Sequence, residues 1–429
     1  MQLLKKAFIF AVFWLPYYCD ARKALVSVPV ADLVGEPIKS FGLASTNKQS
    51  YQMIATSYVE TRKNGIDSSY GAPRMHQLLF NEVVDIISEG KTNPGDEEEV
   101  CISIESAFFI TKQTQKPQHV FYMQKKNLIS FDTLKKRKLS LENIPHSPSF
   151  KHHDQMIESP MIGLIQPFFD PVTQQTFSAG TRFVFDPRKN NDKEYSVQIF
   201  DRSSTSYKPS SIPKLYAQEI THKSKHDAIL CFVKLLKAWA NCPDGVIFYV
   251  WGGYSYTERC PDLGFKEVTK HLLNGNKIII HERKNCIKQP LTGFDCVGLI
   301  LRAAQLCGIP FFFKNTYTLA HYLKSLGIDD HLHEGDLIWI GGHVMIVSDL
   351  EHSKLIEARG YDHDFGIVQE IALEKVFKDM KTYKDLIHAF YLHKPLTRLN
   401  KSGKTVETIN HFKLLKLESA WHHHSFNHL

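Results

Sequence analysis

The segment Gly293-Phe294-Asp295-Cys296-Val297-Gly298-Leu299-Ile300 constrains this chain more than any other. Asp295 is a good helix N-cap, because its carboxylate can accept the unpaired backbone N–H groups of a first turn. Behind it Leu299, Ile300, Ala303, Ala304 and Leu306 recur at helical spacing until Gly308 and Pro310 end the pattern. Cys296 is thereby placed in the first turn of a helix. Free N–H groups and the helix dipole there favour a thiolate, and the expectation is a thiol drawn from ~8.5 toward neutrality. The alternative is a small buried core cysteine, and a suitable partner decides between them.

A second segment offers that partner. Gly335-Asp336 reads as a turn, Leu337-Ile338-Trp339-Ile340 as a strand, Gly341-Gly342 as a tight turn and His343-Val344-Met345-Ile346-Val347 as a second strand. Lys354-Leu355-Ile356-Glu357-Ala358 reads as a third, beyond a polar connection. A hairpin centred on Leu350 opposes residues whose numbers sum to about 700, so His343 pairs with Glu357. The carboxylate can then fix the imidazole tautomer and stabilise an imidazolium.

The chain has 429 residues, 43% hydrophobic and 23% charged, which is enough for about two to four domains and excludes disorder, collagen or coiled coil as a whole-chain description. Its charge, 52 − 45 = +7, is spread out and forms no basic block with interleaved aromatics, so nucleic acid is not an expected partner. Lys5 and Lys6 ahead of the apolar run Ala7 to Leu15 read as an export signal over residues 1–24, cut near Ala21 or Ala24. The expected location is the periplasm or cell envelope, with no transmembrane segment in the mature chain. Pro16-Tyr17-Tyr18 lacks the small residues that lipidation of Cys19 would need. Eight cysteines less Cys19 leave seven, an odd number, so at least one thiol stays unpaired.

Residues 25–220 hold short β-branched and aromatic runs broken by Gly, Pro, Asn and Ser, which is the pattern of small barrels. One unit is expected over 25–139, with strands near Gln77–Phe80, Val83–Ile87, Val100–Ile104 and Val120–Met123. A linker and a second unit occupy 140–220, with strands at Thr181–Phe185 and Tyr195–Phe200 and an end near the Pro209–Pro213 break. Helical spacing from His226 to Ala240 opens a domain of another type over 221–395, and 396–429 reads as a basic, His-rich tail. Other motifs fail: Arg398 stands where a phosphate loop needs glycine, Ser255 lacks the second glycine of a nucleophile elbow, and Asn285 replaces a zinc-binding histidine. His422-His423-His424 with His428 reads as a solvated end.

Five ordered blocks resemble the NlpC/P60 cysteine peptidases of bacterial cell walls, compact relatives of papain. They are Tyr249-Val250-Trp251-Gly252-Gly253, Phe294-Asp295-Cys296-Val297-Gly298-Leu299, Gly335-Asp336-Leu337, His343-Val344 and Ile356-Glu357-Ala358. The resemblance places the nucleophile at Cys296, the general base at His343 and a third polar residue at Glu357, where the family often has His, Asn or Gln. Val297 replaces a usual Ser, and residues 257–290, with Cys260 and Cys286, form an insertion able to act as a lid. Arg74 to Val84 resembles the first strands of a bacterial SH3-type domain.

The fold expected from the resemblance is α+β: a papain-like catalytic domain preceded by two small all-β SH3-like barrels. Relatives so arranged cleave between γ-D-glutamate and diaminopimelate in peptidoglycan stem peptides with a free amino end. In them, residues matching Glu82, Tyr249 and Asp295 meet that ammonium group. The implied chemistry is a thioester pathway, with no metal and no organic cofactor, in a monomer acting on peptidoglycan or murein peptides. The alternatives are a catalytically degenerate wall-binding protein, and a papain-like amidase or transferase acting on another peptide.

Overall fold

The computed structural model describes residues 22–37, 58–63, 66–71, 74–90, 98–110, 117–152, 160–259, 265–271, 277–283, 290–361 and 365–422. Antiparallel sheets and separate helices make an α+β architecture. The first unit is a seven-stranded sheet in the order Leu128–Ser130, Arg22–Val26, Val83–Glu89, Glu99–Ser103, Val120–Gln124, Val30–Val34 and Arg74–Leu79. All four strands expected in this unit are present. Ala24, Leu25 and Val26 are fully buried in its first strand, so removal of residues through Ala24 would cut into the domain.

In the second unit Met161–Leu164 lies between Arg182–Val184 and Ala217–Glu219, beside a long ribbon of Glu194–Asp201 and Ser206–Pro213. The stretch Pro209–Pro213, expected as a break, is strand. It belongs to a two-stranded ribbon, whose open edge tolerates residues without a backbone N–H. Phe177, Phe183, Ile199 and Phe200 fill this unit's core together with Phe80 from the first.

The last unit starts with helix Lys225–Ala240, capped by Ser224, which accepts from Asp227 N. Its sheet runs Ile367–Ala372, Lys354–Arg359, His343–Asp349, Leu337–Ile340 and Phe412–Leu415. Alternation divides the histidine strand between two cores. Val344 and Ile346 pack with Ile356, Ala358 and the helix Cys296–Cys307, while Met345 and Val347 face Leu373, Val376 and Leu386.

Residues 396–422 are not a tail. Leu396–Leu399 pairs with Thr405–Ile409, and Phe412–Leu415 forms an edge of the five-stranded sheet. A buried ion pair, Lys416 Nζ to Asp336 Oδ2 at 2.7 Å, ties this segment to the Gly335-Asp336 turn. The apolar run Phe412-Lys413-Leu414-Leu415 was the signal for it, and proximity to the basic end obscured it. Part of the 257–290 insertion is a hairpin, Phe265–His271 with Lys277–Arg283, which joins Tyr58–Lys63 and Ile66–Gly71 of the first unit in a four-stranded sheet. Residues 1–21 with Cys19, Cys260, Cys286 and residues 423–429 lie outside the described residues.

Candidate active site

Local packing sets the position of Cys296. Asp295 caps the helix Cys296–Cys307, its Oδ1 accepting from Gly298 N at 2.5 Å. Backbone bonds from Val250 N to Phe294 O, Phe294 N to Phe248 O and Asp295 N to Gly253 O strap the Tyr249–Gly253 block along the approach to this helix. The contact leaves no room for side chains: a Cβ at Gly298 would lie 2.1 Å from Gly253 O, and one at Gly253 would lie 2.3 Å from Gly293 O. Glycine in both blocks is thus required by close backbone approach.

Every residue of this helix is buried, including Arg302. Its guanidinium donates to Tyr254 O, Gln77 O and Gln305 Oε1, and it forms an ion pair with Glu82 Oε1 at 2.5 Å. Gln77 adds a second clamp, accepting from Tyr254 N and Ser255 Oγ while donating to Asp32 Oδ1 and Leu291 O. The first sheet and the cysteine helix therefore share one polar seam.

His343 begins the strand whose next residue, Val344, presents its backbone N–H to the Cys296 sulfur, as do Val297 and Cys296 itself. The His343 Nε2 lies 2.9 Å from Glu357 Oε2, and both residues are buried. The expected pairing is present with a different register. Ile346 opposes Ile356 and Val347 opposes Leu355, which sums to 702 and places Glu357 diagonal to His343. A glutamate is long enough to reach a diagonal neighbour. Glu357 Oε1 accepts from Gln369 Nε2 at 3.0 Å, and the carboxylate has Arg398 Nη2 at 3.7 Å and Arg359 Nη1 at 3.8 Å.

These charges fix the protonation states. Although burial opposes its ionisation, the His343 bond and the two guanidinium groups hold Glu357 down at about 2. Burial, reinforced by Arg398, brings His343 down to about 4 against the pull of Glu357. Burial also pushes the Cys296 thiol up to about 12, and Asp295 adds to the shift. This overturns the expectation of a lowered thiol: water exclusion outweighs the helix N-terminus. The resting pair is neutral thiol and neutral imidazole, and no hydrogen bond joins Cys296 to His343.

The remaining expected site residues divide. Asp295 adjoins the nucleophile and is engaged as a cap. Tyr249 is buried, its ring edge-on to Tyr361 at 6.2 Å, and its backbone is bridged to Phe294. Glu82 is committed to Arg302 and to Leu79 N, so its carboxylate is not presented to a substrate amine. Residues that sequence reasoning passed over include Arg398, Arg359, Gln369 and Lys314. The buried Lys314 ammonium sits 4.1 Å from the centre of the Tyr254 ring, facing Asp295 and Cys296, and burial lowers it to about 8. Nothing in Phe313-Lys314-Asn315 marks it as a site residue.

Compared with models of known protein families and with curated proteins, the sequence matches none. Among the described residues no helix is long and apolar enough to cross a membrane, and no group of three or more His, Cys, Asp or Glu side chains is placed to hold a metal ion.

Proposed function

We propose that the chain is an exported cysteine peptidase of the cell envelope that cleaves the γ-D-glutamyl-diaminopimelate bond of peptidoglycan stem peptides, with a papain-like unit behind two SH3-like units. One observation carries the reading: a helix-capped Cys296 meets the N–H of Val344, adjacent to a His343 that is hydrogen-bonded to an ionised Glu357. The ordered sequence blocks supply the substrate class.

In this mechanism the thiol is deprotonated as it attacks. Neutral His343 takes the Sγ proton, the sulfur bonds to the carbonyl carbon, and the oxyanion faces the N–H of Cys296. The imidazolium, held by Glu357, returns the proton to the departing amine as the C–N bond breaks. Water activated by His343 then hydrolyses the thioester. Because Nε2 is bound to Glu357, Nδ1 is the nitrogen that exchanges the proton. Glu82 is left out of substrate binding, since Arg302 holds its carboxylate.

The rival reading, a catalytically degenerate wall-binding protein, draws on the raised thiol and the absent Cys296–His343 bond. Incubation with L-Ala-γ-D-Glu-diaminopimelate and, separately, with casein decides. Release of diaminopimelate without casein cleavage is expected. Cleavage of casein alone points to a general peptidase, and turnover of neither points to the degenerate binder.

A further inference from the structure

Away from the candidate active site, two cysteines meet at the junction of three elements. Cys307 is the last residue of the cysteine helix, Cys231 lies on the helix Lys225–Ala240, and their sulfurs are 2.9 Å apart. The fold thus brings the two sulfurs into direct contact without any intervening group. Gln218, from the strand Ala217–Glu219, donates to Leu306 O at 3.0 Å and places its amide 3.6 Å from Cys231 Sγ. Cys307 is fully buried, and Cys231 is partly open to solvent.

The surroundings favour an anion on the outer sulfur. Lys223 Nζ is buried and has no hydrogen-bond partner, and it acts on Cys231, as does Lys234 one turn along the same helix. The bond from Cys307 contributes most to lowering Cys231 to about 6, whereas burial holds Cys307 well above the ordinary thiol range. A partly exposed, thiolate-prone cysteine beside a buried one is the arrangement of an attacking and a resolving thiol.

We propose that Cys231 and Cys307 form a reactive dithiol that is oxidised by exchange with small disulfides to a Cys231–Cys307 disulfide, which fastens the C-terminal end of the cysteine helix to its neighbour. The Cys231 thiolate attacks an external disulfide RSSR, forming Cys231–S–S–R and releasing one RS⁻. Cys307 sulfur, losing its proton, then attacks Cys231 Sγ, forming the internal bond and expelling the second RS⁻. The protein loses two protons and two electrons, and RSSR takes them up to become two RSH. The proposal does not rest on the peptidase reading. It also implies that the partly exposed Cys231 reacts with an electrophile before the buried Cys296.

The test incubates the full-length chain, reduced and then freed of reductant, with oxidised glutathione at pH 7.5, followed by acid quench and non-reducing peptide mapping. A cross-linked peptide containing Cys231 and Cys307 is expected in most molecules and should vanish with dithiothreitol. In Cys307→Ala a glutathione adduct should instead accumulate on Cys231, and in Cys231→Ser Cys307 should stay a free thiol. Wild type that keeps both thiols, or that carries glutathione on Cys231 without the cross-link, overturns the proposal. Cysteine labelling in denaturant before and after oxidation provides a second measurement, with a loss of two thiols expected and no loss contradicting it.

Discussion

His343 and Glu357 are hydrogen-bonded at 2.9 Å across a diagonal of the sheet, and the residue that register places opposite His343 is Arg359. The second arginine, Arg398, approaches Glu357 from Leu396–Leu399. One carboxylate therefore serves an imidazole and two guanidinium groups. Glu357→Gln keeps an acceptor for His343 but leaves two buried cations with only the more distant Glu407 carboxylate. It is expected to cost about 3 kcal/mol of stability, in the range found for breaking buried ion pairs. Denaturant unfolding checks this, and a cost near zero would show that the arginines find other partners.

Glu82→Gln tests the polar seam. If its role is to hold Arg302, the variant should be less stable by about 2 kcal/mol, because Arg302 keeps its three neutral acceptors. Its kcat/KM should fall by the same factor for a free tripeptide and its N-acetylated form. Loss confined to the free amine would return Glu82 to substrate recognition.

Loss of stability below pH 6.5 should come in part from His343, together with the equally buried His76, whose imidazole burial also holds well below the ordinary range. The His343 folded value of about 4 lies below the ordinary 6.5, so between those values the unfolded chain binds a proton that the folded chain refuses. Stability is thus lost as pH falls from 6.5 toward 4, by roughly 3 kcal/mol at most. Glu357, lowered in the same direction from 4.5 to about 2, contributes stability that is lost as pH falls through that lower window. His343→Gln should reduce the slope of the curve between pH 6.5 and 4, leaving the part that His76 contributes and the fall below 4.5. An unchanged curve would mean that folding leaves the His343 imidazole at its ordinary value.

Alkylation of Cys296, followed on its own peptide, should rise about tenfold per pH unit between 7 and 9, as a thiol far from ionised requires. A plateau across that range would mean a resting thiolate-imidazolium pair.

Much of this was legible in the residues, and the reasons differ by element. The capping Asp295, the helix behind it, the Gly341-Gly342 turn and the histidine strand are local features, with patterning and turn chemistry in agreement. The His343–Glu357 contact followed from a register guess that was two out in its sum, and the length of a glutamate side chain absorbed the error. Thiol ionisation is not legible locally, because burial depends on the long-range packing of Tyr254 and the first sheet around the helix. Arg398 and the strand Phe412–Leu415 come from sequence far beyond the catalytic blocks, where no local pattern announces a shared sheet. Glu82 was placed on a substrate because its partner, Arg302, is 220 residues away.

The central claim is most directly tested by trapping the acyl enzyme. Wild-type protein is mixed with L-Ala-γ-D-Glu-diaminopimelate, quenched in acid within the first turnover, and mapped by mass spectrometry. An L-Ala-γ-D-Glu adduct on the Cys296 peptide is expected, together with released diaminopimelate. Cys296→Ala should show neither, and His343→Ala very little of either. Diaminopimelate released by Cys296→Ala at a rate near wild type, or an adduct on another cysteine, would contradict it.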